Sequence, residues 1–346
     1  MRYRDAGVDI ARADGLKQRV GEAVRSTWRP GVARLTGGFA GVMEFPCGQA
    51  GGSLLLAASM DGVGTKLHLA LACDRVGQAA ADLVRHGAND LLVHGARPLA
   101  FLDYVAQSRL DPRVVLEVVG GIADACREVG AVLLGGETAE MPGTYLPGVV
   151  DVAGCMLGTV AEGDLLDGSA VRPGDVLLGL ASNGLHTNGF ALAREVVARR
   201  GLGLGERLPG GTGETLGEAL LAPHRWYGPA LAPVLGERRV HALAHVTGGG
   251  IAGNLVRVLP RECVARVQPF AWERPAVFRW LLEAGEVPEV DARSALNLGV
   301  GMVVVCAPEE AGRLASDLDR AGERVIRLGS VHAGERGVEW SEERGP

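Results

Sequence analysis

The sequence predicts an α/β chain of the α+β kind, built as two domains. Three observations carry that expectation. The chain has 346 residues, more than one core of ordinary size. Apolar runs of strand length alternate with segments of helical spacing along it. Between them, residues 162–174 (Glu-Gly-Asp-Leu-Leu-Asp-Gly-Ser-Ala-Val-Arg-Pro-Gly) mix charge, Gly and Pro in a way that suits neither period. That stretch divides the chain into 1–163 and 170–346.

In the first part, residues 11–26 have helix-forming composition, and Leu54–Ser59 is an apolar run that reads as a buried strand. Helical spacing follows over Val76–Val93. It returns over 111–129, where Asp111-Pro112 is a helix opening. Ala131–Leu134 reads as a strand closed by Gly135-Gly136, and Val149–Val160 as a longer one. In the second part, strands are expected at Val176–Ala181, 242–246, 263–268 and 300–306. Helices are expected near 189–200, 214–236, from 251, at 276–284 and at 309–321, with the Gly-laden 201–213 as a surface loop.

Composition excludes several classes. With 47% hydrophobic and 22% charged residues the chain is globular rather than disordered, and a net charge of −6 argues against a nucleic-acid surface. No apolar run reaches eighteen residues, and Met1-Arg2-Tyr3-Arg4-Asp5 is followed by no apolar signal core. No membrane partner is expected. Six scattered cysteines without a C-x-x-C pair read as free thiols of a cytoplasmic protein.

The sharpest motif is Asp61-Gly62-Val63-Gly64-Thr65-Lys66, directly after a strand. Glycines let backbone amides approach an anion, Asp61 offers a hard oxygen to Mg²⁺, and Lys66 offers a point charge. The order is not that of a Walker A loop. Composition adds weight: Lys17 and Lys66 are the only lysines among 35 basic residues, and Arg does not replace Lys where a compact donor meets phosphate. Lys17 reads as solvated surface.

Asn89-Asp90 interrupts a strongly apolar helix, and Asp82, seven positions earlier, shares the face of Asn89. This is either a solvated stripe or a set of ligands aimed at one place. Gly135–Gly143 (GGETAEMPG) carries a second pair of acids in a predicted loop, where Glu137 could join Asp61 around a cation. Ser182–Gly189 (SNGLHTNG) sets hydroxyl, amide and imidazole groups before a helix. In His245-Val-Thr247-Gly248-Gly249-Gly250, a phosphate cradle beside His245 is the favoured reading. Gly248, Gly250 and Gly253 also fit a dinucleotide fingerprint, but the next strand has no acid at its end. His241 and His245 lack the Glu of a zincin.

Taken together, AGVDI (6–10), DGVGTK (61–66), ND (89–90), GGETAEMPG (135–143), SNGLHTNG (182–189) and HVTGGG (245–250) resemble, in order and spacing, the phosphoribosylformylglycinamidine cyclo-ligases. These are the aminoimidazole ribonucleotide synthetases of purine biosynthesis. The resemblance implies an N-terminal small sheet with helices that pairs with its twin as a dimeric barrel, with ATP near the homodimer interface. It implies a larger layered α/β C-terminal domain. The implied reaction uses ATP and Mg²⁺ to phosphorylate the formyl oxygen of formylglycinamidine ribonucleotide, after which an internal nitrogen closes the imidazole and phosphate leaves. On that basis Asp61, Asp90 and Glu137 would hold the metal. Gly62, Gly64, Thr65, Lys66, Asn89, Gly136 and Thr138 would hold ATP. Asn183, His186, Thr187, Asn188, Thr247, Gly248 and Gly249 would hold the ribonucleotide, with His245, Asp61 and Lys66 as the catalytic set. One departure is Gly21, where family members often carry a first-helix lysine; Arg19 or Arg25 stands near. The competing expectations are a kinase-like relative acting on another small molecule, a nucleotide-binding partner protein without turnover, and a nicotinamide-dependent dehydrogenase.

Overall fold

A computed structural model describes residues 53–341 without a break, together with residues 20, 22–28, 30–33 and 38–45. Most of the predicted helix at 11–26 lies outside the described residues, as do residues 6–10, Lys17, Arg19, Gly21 and Cys47. The other five cysteines are free thiols. Among the described residues, no helix is long and apolar enough to cross a membrane.

The chain folds as two mixed α/β domains, each around its own sheet. The first contains β1 (Gly41–Glu44), β2 (Leu54–Gly62), α1 (Lys66–Ala72), α2 (Val76–Leu92), β3 (Arg97–Gln107), α3 (Pro112–Val129), β4 (Val132–Glu140) and β5 (Val150–Ala161). Its strands lie in the order β1-β2-β5-β3-β4. All neighbours are antiparallel except β3 and β4, which α3 connects as a parallel crossover. Helix α3 begins and ends as its sequence dictates. Asp111 accepts a hydrogen bond from the Arg113 amide, Pro112 opens the first turn, and Gly130 closes the helix at φ +76°. Helices α2 and α3 cross so closely that a Cβ on Gly121 would stand 2.0 Å from the Gly77 carbonyl oxygen. Gly87 of α2 rests on Met156 of the sheet in the same way.

The second domain runs β6 (Val176–Ala181), α4 (Phe190–Arg200), α5 (Leu216–Leu220), α6 (Gly228–Gly236), β7 (Ala242–His245), α7 (Gly250–Leu255) and β8 (Cys263–Val267). It continues with α8 (Ala276–Ala284), α9 (Glu289–Ala295), β9 (Val300–Cys306), α10 (Pro308–Arg320), β10 (Val325–Ala333) and β11 (Gly337–Trp340). The sheet order is β11-β8-β10-β6-β9-β7. Every residue of β9 is buried, as its uninterrupted apolar run requires.

Several sequence expectations change here. The GGETAE segment is not a loop: β4 continues through both glycines to Glu140 because β3 pairs with it to the end. Lys66 does not sit in a loop but opens α1. Strand β3, central in its sheet, gave no clear signal, since Arg97, Pro98 and Asp103 break its apolar pattern. The dinucleotide reading fails on topology. β7 is antiparallel to β9, and β8 lies between β10 and β11, so no parallel βαβ unit surrounds the Gly248 turn.

Candidate functional site

The site lies on the seam between the domains, and α2 supplies its floor. Asp82, His86 and Asn89 fall on one helical stripe with Asp90 beside them, and all are buried. Such a stripe must find partners, and the second domain provides several of them. Asp82 accepts from Lys66 Nζ at 2.6 Å, from Arg85 Nη1 at 3.0 Å and from the His224 amide at 2.8 Å. Asn89 donates to the Arg225 carbonyl at 2.8 Å and accepts from the Tyr227 amide at 3.2 Å. The stripe is therefore a docking strip for residues 224–227.

Lys66 corrects the strongest sequence expectation. Its side chain is 0% exposed, and its ammonium also donates to the His186 carbonyl at 2.6 Å, with the Phe190 ring 5.0 Å away. It is spent on the seam and offers nothing to a phosphate. Asn89, expected to hold ATP, is likewise consumed by backbone groups of the second domain. The rest of the predicted loop is open: Asp61, Gly62, Gly64 and Thr65 are exposed. Gly64 takes φ +65° with clear space where a Cβ would stand, so its backbone can be approached closely.

Asp61 is the half-exposed rim of the site, with its side chain 48% exposed. Its Oδ2 lies 2.9 Å from His86 Nε2, and its Oδ1 accepts from the Gly62 amide at 2.7 Å. Asp90, deeper, accepts from Ser59 Oγ at 2.9 Å and lies 2.8 Å from His245 Nδ1 and 3.5 Å from His86 Nε2. His86 also meets Thr187 Oγ1 at 2.8 Å through Nδ1. Burial alone would lower the His86 pKa, but Asp90 and the hydrogen bond to Asp61 outweigh it and lift it to about 10. Burial would raise both carboxyls. The His86 charge and the hydrogen bonds from His86 and His245 hold Asp90 well below the carboxylate range instead, and the His86 hydrogen bond lowers Asp61.

Three further imidazoles pack on this pair. His186 stacks on His224 with centroids 4.1 Å apart, and His224 Nε2 faces His245 Nε2 at 3.1 Å. Burial drives His186 and His224 well below the ordinary histidine value and also lowers His245, against the pull of Asp90. Burial thus favours the neutral form of these three, beside a fourth ring whose charged form the two carboxylates favour. His245, expected to act directly on substrate, is 0% exposed with both nitrogens occupied.

The two glycine loops meet here. Asn188 Oδ1 lies 3.1 Å from where a Gly248 Cβ would stand, and Asn188 donates to Thr187 Oγ1 at 3.2 Å. Asn254 braces the 247–250 turn by accepting from Thr247 Oγ1 and donating to the Gly248 and Gly250 carbonyls. Asn183 remains at the surface, donating to the Pro223 carbonyl and accepting from Arg225. Gly249 turns the backbone at φ +98°.

Glu137, Gly136 and Thr138 are not brought in. The register Asp61–Gly154–Asp103–Gly136 places Asp61 three strands from β4, ~14 Å at the usual strand spacing. Glu137, one residue on, points to the opposite sheet face from Asp61. Within one chain it cannot share a cation with Asp61. His86 and His224 are residues of this cluster that no motif announced. The available signal for His86 was its place on the stripe, four residues from both Asp82 and Asp90.

Two family models match: AIR synthase related protein, N-terminal domain, over residues 37–160, and the C-terminal domain of the same family over residues 172–341. Among solved structures, a Thermus thermophilus protein is 24% identical and aligns over 92% of this chain and 94% of its own, with TM-score 0.61. Thiamine-monophosphate kinase from Stenotrophomonas maltophilia is 16% identical over 93% and 95%, with TM-score 0.64. Hydrogenase maturation protein HypE, solved in complex with ATP, is 20% identical over 85% and 84%, with TM-score 0.60. At these identities the structural likeness speaks for the fold. With both domains matched in order along the chain, the protein belongs to the AIR synthase related family.

Proposed function

We propose that the protein is an ATP-dependent ring-closing ligase that converts formylglycinamidine ribonucleotide to 5-aminoimidazole ribonucleotide with release of ADP and phosphate. The observation that carries this reading is the meeting of the Asp61–Thr65 turn at the end of β2, exposed except at Val63, with His86–Thr187 and the Asn188–Gly248 contact at one seam. A nucleotide phosphate needs close backbone and a hard oxygen, and that loop offers both. A ribose phosphate needs amides and hydroxyls, which the paired glycine loops supply. The HypE structure with ATP supports nucleotide use on this fold.

The Asp61 carboxylate, half-exposed and ionised, fits Mg²⁺, which takes one or two carboxylates and keeps its remaining positions for water and phosphate oxygens. Bound there, the ion would spread the charge that develops on the phosphoryl group. His86, held charged, fixes Asp61 in place. The backbone of Gly64 and Thr65 braces phosphate where Lys66 does not. Thr187, Asn188 and Thr247 orient the ribonucleotide, so that its formyl oxygen accepts the phosphoryl group before the internal amine attacks that carbon. The carbon–oxygen bond then breaks and the oxygen departs with phosphate.

The test is ATP-dependent turnover of formylglycinamidine ribonucleotide, followed as ADP release and appearance of the aromatic amine. Absence of turnover by the wild-type chain with Mg²⁺ and ATP would sink the assignment. Asp61→Asn is expected to lower kcat/KM by ~100-fold, partly regained at higher Mg²⁺; unchanged kinetics would remove Asp61 from the metal site.

The same reading includes a homodimer formed through the sheet face that points away from α2. Met60, Cys155 and Leu102 lie in one row across β2, β5 and β3 on that face, and Met60 and Leu102 are 71% and 37% exposed. Leu134 on β4 is exposed as well. An apolar face of this kind fits a second copy. Sedimentation should give twice the 36.0 kDa of the chain. Leu102→Asp should shift it to the monomer; a wild-type mass of one chain would refute the pairing.

A further inference from the structure

His86, His224 and His245 each bring a ring nitrogen to one place, all within 4.8 Å of one another and all from buried side chains. They come from three separate segments: α2, the 221–227 connection and the end of β7. The ring centroids of the trio are 5.0–5.5 Å apart, a triangle rather than a stack.

Three details single this cluster out from ordinary buried histidines. First, Nε2 of His224 and Nε2 of His245 point at each other at 3.1 Å. Two ligands on a tetrahedral zinc at ~2.0–2.1 Å stand only ~3.4 Å apart, so the pair is already close to that spacing. Second, His245 Nδ1 is bound to Asp90 Oδ1 at 2.8 Å. This carboxylate–histidine contact fixes the tautomer that leaves Nε2 as a lone-pair donor, the usual support of a metal-bound imidazole. Third, His224 Nδ1 has no hydrogen-bond partner, so no protein group on that side commits His224 to the tautomer that places its proton on Nε2.

We propose that His86, His224 and His245 form a binding site for a zinc-class divalent ion that clamps the two domains together. Three imidazoles select Zn²⁺, Co²⁺, Ni²⁺ or Cu²⁺ over Mg²⁺ and Ca²⁺, which favour oxygen. His86 takes part by losing its extra proton to solvent and releasing Asp61 or Thr187, since both its nitrogens are engaged. The site takes nitrogen ligands where Asp61 offers oxygen, it shares His86 with the Asp61 contact, and its test does not use the ligase activity.

The test uses the full chain, expressed without a histidine tag and purified without chelator. Elemental analysis should find one equivalent of a zinc-class metal per chain. Exchange into Co²⁺ should give the visible absorption of a four-coordinate site. Chelation should lower Tm, and Zn²⁺ but not Mg²⁺ should restore it. His224→Gln and His86→Gln should each lose the metal and the Co²⁺ spectrum. His241→Gln, at the other end of β7 and paired with Asp175, should retain both. Should either ligand variant fail to fold, the wild-type Co²⁺ titration still decides. Well under one equivalent of metal together with a featureless Co²⁺ titration overturns the proposal, as does full retention of metal by His224→Gln.

Discussion

Lys66→Met is expected to lower the unfolding free energy by about 3 kcal/mol, the usual scale for removing one partner of a buried ion pair. The ammonium is fully enclosed, so Asp82 would keep its charge inside the seam with Arg85 and one amide for compensation. The His186 carbonyl would lose its donor too, and His186 stands at φ +61°, a left-handed conformation that needs such support. Urea denaturation followed by tryptophan fluorescence checks the shift in midpoint. Lys66→Arg should also destabilise, because a planar guanidinium cannot enter a pocket shaped for a compact head beside Phe190. An unchanged midpoint with a raised KM for ATP would return Lys66 to the phosphate role its sequence motif suggests.

Gly301→Ala is expected to cost roughly 3 kcal/mol, at the upper end for overpacking. Gly301 lies in β9 where its pairing with β6 shifts register. A Cβ there would stand 2.0 Å from Tyr227 Oη and 2.7 Å from His186 Cε1. Tyr227 is fully buried and donates to the Ala181 carbonyl at 2.9 Å, so it has no easy retreat. Adding Tyr227→Phe removes the atom that collides. The double variant should therefore recover part of the lost Tm, despite the orphaned carbonyl. If Gly301→Ala melts like wild type, the close packing of β9 on the histidine cluster is wrong.

Much of the second domain was legible because its strands are short, apolar and bounded by breakers. Val176–Ala181, Ala276–Ala284 and Val300–Cys306 fall where their patterns put them. The loops of the candidate site were legible for a related reason: glycines, amides and hydroxyls cluster where backbone must come close to something. The partners were not. The scarcity of lysine rightly marked Lys66 as special, but its partners are Asp82 and a carbonyl 120 residues away, and no local pattern encodes the second. Asp82 and Asn89 were recognised as one stripe, yet backbone groups at 224–227 leave no side-chain signature. Glu137 misled because a Gly-Gly pair suggests a loop, whereas parallel pairing with β3 keeps it extended.

The docking strip on α2 also bears on how ligands come and go. Parting the domains would break the bonds that Lys66, Asp82 and Asn89 make to the second domain in one step, each exchanged for water at a net cost of ~0.5–1.5 kcal/mol, and ~1.5–3 kcal/mol for the charged groups. A hinge that opens the seam is therefore the expensive route. The inexpensive route is local: the exposed Gly64 and Thr65 and the surface Asn183 can shift while the floor stays closed. Ligand exchange is therefore expected through these loops, with the seam closed.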